Sequence, residues 1–186
     1  MSSSYRLELD RWLADLEVKA DTVFDIGGSQ LPLKGRTKSW DVKEYKILDL
    51  AEPHKDSPKP DVIFNLEKSN DFTGKADLVF CLEVFDYIIK PHMAMLNIAD
   101  CLKDGGTAWV TYPSFYPLHQ PIEDDAFRYM PGAIARLATN AGLKVESIIY
   151  RRPETNLLQQ FYSAERMRAA KHVDHDFTGM IVEFKK

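Results

Sequence analysis

The stretch that decides the fold is Thr22-Val23-Phe24-Asp25-Ile26-Gly27-Gly28, residues 22–28. Its apolar run predicts a short buried strand over 22–26, and the glycine pair predicts a tight turn directly after it. Glycine lets the backbone turn sharply and approach a ligand closely because it has no Cβ. The turn therefore has two interpretations: a structural connection to the next element, or a place where free N–H groups receive an anion.

Short apolar runs and helical patterns alternate on both sides of this strand. Runs that stay apolar throughout are typical of strands covered on both faces, as in parallel sheets. We predict strands at 22–26, 45–50, 61–64, 76–82, 107–112, 144–150 and 179–184, and helices at 4–19, 91–102, 131–141 and 154–171. The alternation predicts one α/β domain over residues 1–186, in which 1–20 form an N-terminal helix and 21–186 form the core.

Glycines and weak patterns mark the connections between these elements. The segment 28–44 lacks periodic apolar residues and predicts at best a short helix after the first strand. Residues 103–106, Lys-Asp-Gly-Gly, predict a turn that ends the second helix, with glycine in the left-handed cap conformation. Gly142 predicts the end of the helix that Pro131 begins.

The composition excludes several classes of protein. The 186 residues carry a formal net charge of −4, which gives no support for nucleic-acid binding as the main role. No run of 18 apolar residues exists, so we expect no membrane span, and residues 1–6 contain no apolar signal region. Cys81 and Cys101 lie in apolar segments, which predicts buried thiols in a reducing, cytoplasmic setting.

Charged clusters near the C-terminal end have plain structural interpretations. The run 172–176, His-Val-Asp-His-Asp, contains metal-ligand types but has no second cluster to complete a site, so we predict a solvated turn and no metal. Arg151 and Arg152, like the basic pair at 166 and 168, stand among acidic residues, which predicts a solvated helix face.

Polar residues follow three of the predicted strands where those strands end. The first end carries Asp25 and the glycine turn, the second carries Asp49, 24 residues after Asp25, and the third carries Asn65-Leu66-Glu67. In doubly wound sheets ligands bind at the carboxyl ends of the strands, and an acid at the second end accepts hydrogen bonds from a ribose. Together the three ends indicate an adenosine-containing ligand. Taken alone, the glycine turn also fits a purely structural connection, and Asp49 also fits a solvated loop acid.

Four segments resemble the class I S-adenosylmethionine (SAM)-dependent methyltransferases, especially small bacterial members with the "methyltransferase type 11" pattern. Residues 23–28 resemble the family's first glycine motif, and residues 77–88 resemble its fourth-strand segment. Residues 102–106 resemble its Leu-Lys-Pro-Gly-Gly turn. Residues 125–143 resemble its Asp-x-x-Arg-(Tyr/Phe)-Thr-Pro helix and the Ala-Gly-Phe turn that follows. The chain departs from the family at Ser29 and Leu31, where glycines are usual, and at Asp86-Tyr87, where Glu-His is usual.

The resemblance implies a fold, an activity and a cofactor site. The fold is a Rossmann-like, seven-stranded, mostly parallel α/β sheet in the order 3-2-1-4-5-7-6, with an antiparallel seventh strand and helices on both faces. The activity is methyl transfer from SAM, which leaves S-adenosylhomocysteine (SAH). The implied cofactor residues are Asp25, Gly27 and Gly28 at the methionine part, Asp49 at the ribose, Asn65 and Leu66 at the adenine, Cys81, Leu82 and Glu83 beneath the reactive end, and also Ser29 and Leu50.

The acceptor side is predicted in the loop after the fifth strand, residues 112–121, which is long, aromatic and rich in proline. His119 is the candidate base because imidazole titrates near neutrality; alternatively it only bonds within its own loop. Asp125 and Arg128 bind a polar acceptor or form an ion pair that holds the loop. The candidate acceptor-binding residues are Tyr112, Tyr116, Asp125, Arg128 and Tyr129.

Three functions compete at this point. The first is methyl transfer to a small-molecule or glycan-like acceptor, the glycan being suggested by the resemblance alone. The second is a binding or regulatory module that has lost catalysis, which the missing glycines at 29 and 31 favour. The third, a nicotinamide-dependent oxidoreductase, requires a full glycine fingerprint that this chain lacks. No separate substrate domain is visible, so a homodimer that completes the acceptor pocket is a further expectation.

Overall fold

The computed structural model describes residues 4–53, 57–69, 73–115, 118, 121–152 and 177–186. Its helices are α1 (Ser4–Asp15), α2 (Pro91–Cys101), α3 (Pro131–Asn140) and a short 3-10 helix (Ile122–Asp124). None of these helices is long and apolar enough to cross a membrane. The strands are β1 (Glu17–Ile26), β2 (Ser39–Asp49), β3 (Val62–Ile63), β4 (Ala76–Cys81), β5 (Leu102–Pro113), β6 (Lys144–Arg151) and β7 (Gly179–Lys185). The helix predicted over 154–171 and the histidine-rich run at 172–176 lie outside the described residues.

The seven strands form one sheet in the order β3-β2-β1-β4-β5-β7-β6. β1 runs parallel to β2 and β4, β2 parallel to β3, and β4 parallel to β5. β7 is antiparallel to both β5 and β6. The predicted order and the antiparallel seventh strand are thus confirmed. The order reverses between β1 and β4, and ligands of such sheets bind at the carboxyl ends of the strands beside this switch point.

Helices cover both faces of the sheet because successive strand residues point to opposite sides. On one face Phe24 and Ile26 of β1 belong to a buried cluster that includes apolar residues of α2 and α3. On the other face Val23 is buried with Leu9 and Leu13 of α1. The predicted arrangement of helices on both faces is confirmed, and the sheet lies between two packed layers.

β1 and β2 are longer than predicted, and residues 27–38 between them form turns and bends without a helix. The two strands pair along their whole length, so residues 17–20, predicted to lie in the N-terminal helix, belong to the sheet. Exposed ion pairs join the extensions, among them Lys43 to Asp21 at 2.8 Å. Charged pairs of this kind stabilise the pairing of two neighbouring strands. They do not produce the run of apolar residues from which a buried strand is predicted.

The turn predicted over 103–106 is wrong. β5 begins directly after α2, because Leu102 has an extended backbone with φ −78° and ψ 140°. The pairing of β5 with β4 shifts register between Ala76 and Leu78, and Gly105 has a left-handed φ of +75° within the irregular part of β5. Gly105 therefore provides the left-handed conformation at a bulge in β5. Gly142, with φ +71°, follows α3 as predicted.

Both cysteines are buried free thiols, as predicted. Burial raises the pKa of Cys101 to about 12 and also raises the pKa of Cys81. Because the thiolate is the reactive form of cysteine, neither side chain is a nucleophile near neutral pH. Both serve the fold as small apolar groups of the core.

Candidate functional site

The carboxyl ends of β1 to β4 surround a cavity of about 490 Å³. Gly27 follows β1, Asp49 ends β2, Asn65 follows β3 and Glu83 follows β4. Apolar walls come from Leu48, Leu50, Phe64, Leu66 and Ile88. The cavity thus lies beside the switch point, and it brings together six of the residues that the resemblance implies for cofactor binding: Gly27, Asp49, Leu50, Asn65, Leu66 and Glu83.

Gly27 and Gly28 form the tight turn at the end of β1. Gly27 has φ +77°, and a Cβ at this position would overlap the Val84 side chain. A Cβ at Gly28 would overlap the carboxyl group of Asp25. The Gly27 N–H donates to the Leu48 carbonyl at 2.8 Å, which ties the turn to β2. The turn therefore requires glycine at both positions, for steric reasons as well as conformational ones.

Asp25 lies beneath this turn and not on the wall of the large cavity. It is 3% exposed, and its Oδ2 accepts hydrogen bonds from the Leu33 N–H at 2.8 Å and from the Tyr45 hydroxyl at 2.5 Å. Burial raises the pKa of Asp25, and burial together with the Asp25 charge raises the pKa of Tyr45. Asp25 thus anchors the loop that follows the turn, and Tyr45 is its buried partner.

Asp49 has the position expected of a ribose ligand at the end of β2. Its Oδ2 accepts the Ser29 N–H at 3.1 Å, and its Oδ1 accepts the Leu50 N–H at 2.8 Å. A carboxylate has about four lone-pair sites, so Asp49 keeps acceptor capacity toward the cavity. Ser29 itself is fully buried, and its contribution here is the N–H that orients Asp49.

Glu67 lines the same cavity, and its carboxylate fixes a neighbouring segment of the chain. Its Oε1 accepts the N–H groups of Ile89 at 2.8 Å and Lys90 at 2.7 Å, which fixes the segment between β4 and α2. The Glu67 N–H donates to Asn65 Oδ1 at 2.8 Å. The only sequence signal for this role is the place of Glu67 directly after Asn65-Leu66, since its partners lie 22 and 23 residues away.

Glu83 is held by Arg151, and the prediction of a solvated helix face for Arg151 is wrong. Arg151 is the last residue of β6 and is 1% exposed. Its Nη1 and Nη2 lie 2.6 and 3.3 Å from the Glu83 carboxylate oxygens. Glu83 has φ +58°, a left-handed conformation that costs a non-glycine residue about 1–2 kcal/mol. The Glu83 N–H donates to Thr111 Oγ1 at 2.6 Å, so contacts from two further strands maintain this conformation.

The two residues before Glu83 differ in their surroundings. Cys81 is fully buried in the core and has no exposed surface, which corrects its expected place on the pocket wall. Leu82 lines a second, smaller cavity of about 60 Å³ together with Asp25 and Gly28, and this cavity shares Gly27, Gln30 and Glu83 with the first.

The segment after β5 reaches the large cavity through Pro121 and Asp124. Tyr116 and His119 lie outside the described residues, so the candidate base remains a prediction. Tyr112 is fully buried, and its hydroxyl donates to Met95 Sδ at 2.9 Å. The expectation that Tyr112 contacts an acceptor is therefore corrected: its side chain belongs to the core.

Tyr129, Asp125 and Arg128 hold the chain after the 3-10 helix. Tyr129 is 4% exposed and packs against the Tyr112 ring at a centroid distance of 5.1 Å, so it too belongs to the core. Two guanidinium nitrogens of Arg128 each lie 2.6 Å from an oxygen of Asp125, whose side chain is 1% exposed. The interpretation as an ion pair is confirmed.

No family model matches this sequence, and no curated protein matches it. Solved structures do match the fold. A SAM-dependent methyltransferase from Mesorhizobium loti superimposes with a TM-score of 0.63 at 12% identity over 98% of both chains. A protein from Haloferax volcanii, solved in complex with the methyltransferase activator Trm112, has a TM-score of 0.64 at 17% identity over 97% of this chain and 88% of that one.

A third similar structure is the [4+2]-cyclase SpnF, with a TM-score of 0.60 at 16% identity over 98% of this chain and 80% of the cyclase. The three structures match nearly the whole of this chain, but their sequence identities are too low for an activity to be inferred from them. They show that the chain shares its fold with these proteins over nearly its whole length. The chain has the Rossmann-like fold of the class I SAM-dependent methyltransferases.

Proposed function

We propose that the chain is a SAM-dependent methyltransferase that acts on a small-molecule or glycan-like acceptor. The observation that carries the proposal is the convergence of the Gly27 turn, Asp49 and the Asn65-Leu66 wall on one cavity of about 490 Å³ at the switch point. Similar structures described as methyltransferases add support for this fold. Glycan is named only because the resemblance of the sequence suggested it.

The chemistry of the cavity wall fits an adenosine group. Asp49 offers carboxylate oxygens for ribose hydroxyls, and it is oriented by two N–H donors. Leu50, Leu66 and Ile88 offer apolar surface to an adenine ring. Asn65 lies beside Leu66 on the same wall, and its Oδ1 is held by the Glu67 N–H. Pockets for such ligands are mostly apolar with a few well-placed polar groups, as this one is.

When bound, SAM supplies a methyl group activated by its sulfonium charge. The protein has to orient the acceptor and exclude water. Glu83 and Val84 line the cavity together with Gly27 of the glycine turn and with Pro121 and Asp124 of the segment after β5. We place the acceptor beside this segment. A base is required only where the acceptor loses a proton, as a hydroxyl does, and His119 is the residue proposed for it.

Isothermal titration of the purified protein with SAM and SAH tests the cofactor site. We expect saturable binding of both, lowered by roughly tenfold or more in Asp49→Ala because a hydrogen-bonded charge is lost. Asp41→Ala removes an exposed acid from the same strand and should leave binding unchanged. Binding of neither ligand by a folded protein would exclude the proposal.

A second candidate function is a module that binds a nucleoside ligand without transferring a methyl group. The absence of a helix from residues 27–38 favours it, since the usual helix N-terminus after the glycine turn is missing. The cyclase among the similar structures indicates that this fold also serves other activities. SAH release from SAM during incubation with hydroxylated, amine and sugar acceptors separates the two functions. Light scattering on the same samples tests the expected homodimer.

A further inference from the structure

The exposed apolar side chains of the described residues are concentrated in one part of the chain. Five of these twelve large side chains belong to the segment that follows β5: Phe115, Leu118, Ile122, Phe127 and Met130. Apolar side chains scattered singly over a surface are normal, whereas a group of them beside a ligand cavity marks a binding surface. The concentration therefore indicates that this segment binds something apolar.

Hydrogen bonds bring the two ends of the segment together. The Tyr129 N–H donates to the Pro113 carbonyl at 2.7 Å, and Ser114 Oγ donates to Met130 Sδ at 3.6 Å. Phe115 follows Ser114 directly, so its backbone lies beside that of Met130. The apolar side chains thus come from a loop that closes on itself at the end of β5.

The middle of the same loop borders the large cavity. Pro121 and Asp124 line that cavity, and Ile122 stands between them in the short 3-10 helix. The Ala126 N–H donates to the Asp86 carbonyl at 2.7 Å, which fixes the loop against the segment after β4. A molecule that extends out of the cavity past Asp124 therefore meets Ile122 on a backbone that is already held in place.

The polar side chains that were predicted to hold an acceptor are paired or buried. Two guanidinium nitrogens of Arg128 each lie 2.6 Å from an oxygen of Asp125, whose side chain is 1% exposed. The Tyr112 hydroxyl donates to Met95, and Tyr129 is buried in the core. A sugar is recognised through hydrogen bonds to its hydroxyl groups, and these side chains are not presented for them. The apolar side chains of the loop remain exposed.

We propose that the acceptor is a small molecule with an apolar body, an aromatic ring or an alkyl chain, that packs on Ile122 and Phe127. The atom that accepts the methyl group then lies in the large cavity. This inference rests on the proposed function and selects the small-molecule acceptor over the glycan. The two side chains are 49% and 44% exposed, so each has apolar surface left to bury. Removal of such surface from water is what favours binding of an apolar body.

Titration of the SAH-bound protein with a neutral apolar dye, N-phenyl-1-naphthylamine, tests this surface through the fluorescence of the dye. We expect saturable binding, and an affinity that is lower by roughly tenfold or more in Ile122→Ser and in Phe127→Ser, because apolar surface is lost. Ile149→Ser is the matched control. Ile149 is 39% exposed and lies on β6 at an edge of the sheet, so its replacement should leave the affinity unchanged.

A competition experiment separates the two classes of acceptor. 2-Phenylethanol and methyl α-glucoside both offer hydroxyl groups, but only the first has an apolar body. We expect 2-phenylethanol to displace the dye and the glucoside to leave it bound. Displacement by the glucoside, or displacement by neither compound, overturns the inference.

Three further measurements identify other occupants of the surface. Light scattering that shows a wild-type dimer and monomers of the two loop variants would assign the surface to a second copy of the chain. Binding of the wild type, but not of these variants, to phosphatidylcholine vesicles would assign it to a membrane. Clearly lower melting temperatures of both variants would show that the protein itself packs these side chains. Each of these results overturns the inference.

Titration with SAM and SAH keeps this inference separate from the proposed function. We expect the two loop variants to bind both ligands as the wild type does. Normal binding of SAM and SAH together with unchanged dye affinity in both variants overturns the apolar acceptor and leaves the proposed function standing. A folded wild-type protein that binds neither SAM nor SAH overturns the proposed function, and this inference with it.

Discussion

Arg151 Nη1 lies 2.6 Å from Glu83 Oε1, although the two residues are 68 positions apart in the sequence. The pair connects the end of β6 to the residue beyond the end of β4, across the two strands that lie between them in the sheet. Arg151 is 1% exposed, and Glu83 is in a left-handed conformation next to both cavities. The pair therefore fixes a strained residue in the wall of the candidate site.

Replacement of Arg151 by methionine is expected to destabilise the protein by about 3 kcal/mol, because it leaves the Glu83 carboxylate shielded and without its ion partner. Urea unfolding measures the free energy of unfolding. Arg152→Met is the control: Arg152 is exposed beside Arg151 and its guanidinium lies 5.7 Å from the centre of the Tyr150 ring. Loss of an exposed contact of this kind should change stability by no more than about 1 kcal/mol. Equal effects of the two substitutions would contradict a structural role of the pair.

The raised pKa of Asp25 predicts a pH dependence of stability. In the folded protein this carboxyl group holds its proton more tightly than in the unfolded chain, where its pKa is near 3.8. As pH rises from that value through the raised pKa, the unfolded chain loses its proton first, so the contribution of Asp25 to folding stability declines. That contribution is fully present only below the unfolded pKa.

Asp25→Asn isolates this effect, because an amide oxygen in the place of Oδ2 can accept from both Leu33 and Tyr45 without carrying a charge. We expect the variant to gain stability relative to the natural protein as pH rises from acid to neutral. Urea unfolding at a series of pH values gives the difference in free energy. A difference that stays constant with pH would mean that Asp25 has an ordinary pKa in the folded state.

Gly27→Ala is expected to cost more stability than Gly35→Ala. Both glycines have left-handed φ values, +77° and +91°, so both substitutions carry a strain of about 1 kcal/mol. Only at position 27 does the added Cβ overlap a neighbour, the Val84 side chain, whereas position 35 has no atom within 4 Å. We expect about 1–3 kcal/mol of additional destabilisation from this overlap.

Thermal unfolding of the two glycine variants gives this comparison directly, and titration with SAH adds a second readout. Gly27 lines both cavities, so Gly27→Ala should also weaken ligand binding. Gly35→Ala leaves the cavity walls unchanged and should bind normally. Similar melting temperatures for the two variants would show that Val84 moves aside without cost.

The parts of the fold that follow from local patterns were predictable from sequence. Buried strands such as β4 read as continuous apolar runs, and a glycine pair marks the turn after β1. The order of the sheet required the resemblance of several segments to a known family, since no local pattern specifies which strands are neighbours. The extended ends of β1 and β2 escaped prediction because charged, exposed residues form them.

The residues of the candidate site fall into two groups, those that were predictable from their position along the chain and those that were not. Gly27, Asp49 and Asn65 stand directly at strand ends, and parallel strands bring their carboxyl ends to one edge of the sheet, so their position along the chain was enough to place them together. Glu67 and Arg151 accept from or donate to partners at least 22 residues away. The only sequence signal for Glu67 is its place directly after Asn65-Leu66, and nothing near Arg151 in the sequence distinguishes it from a solvated charge.

The sequence by itself determined the alternation of strands and helices, the glycine turn and the acid at the end of β2, because these depend on side-chain periodicity and on the conformational freedom of glycine. Only the tertiary structure decided that Asp25 faces Tyr45 beneath the turn and that Arg151 is buried on Glu83. Each of these contacts joins charges from distant parts of the chain, and whether a charge is buried and paired depends on packing that no local pattern encodes.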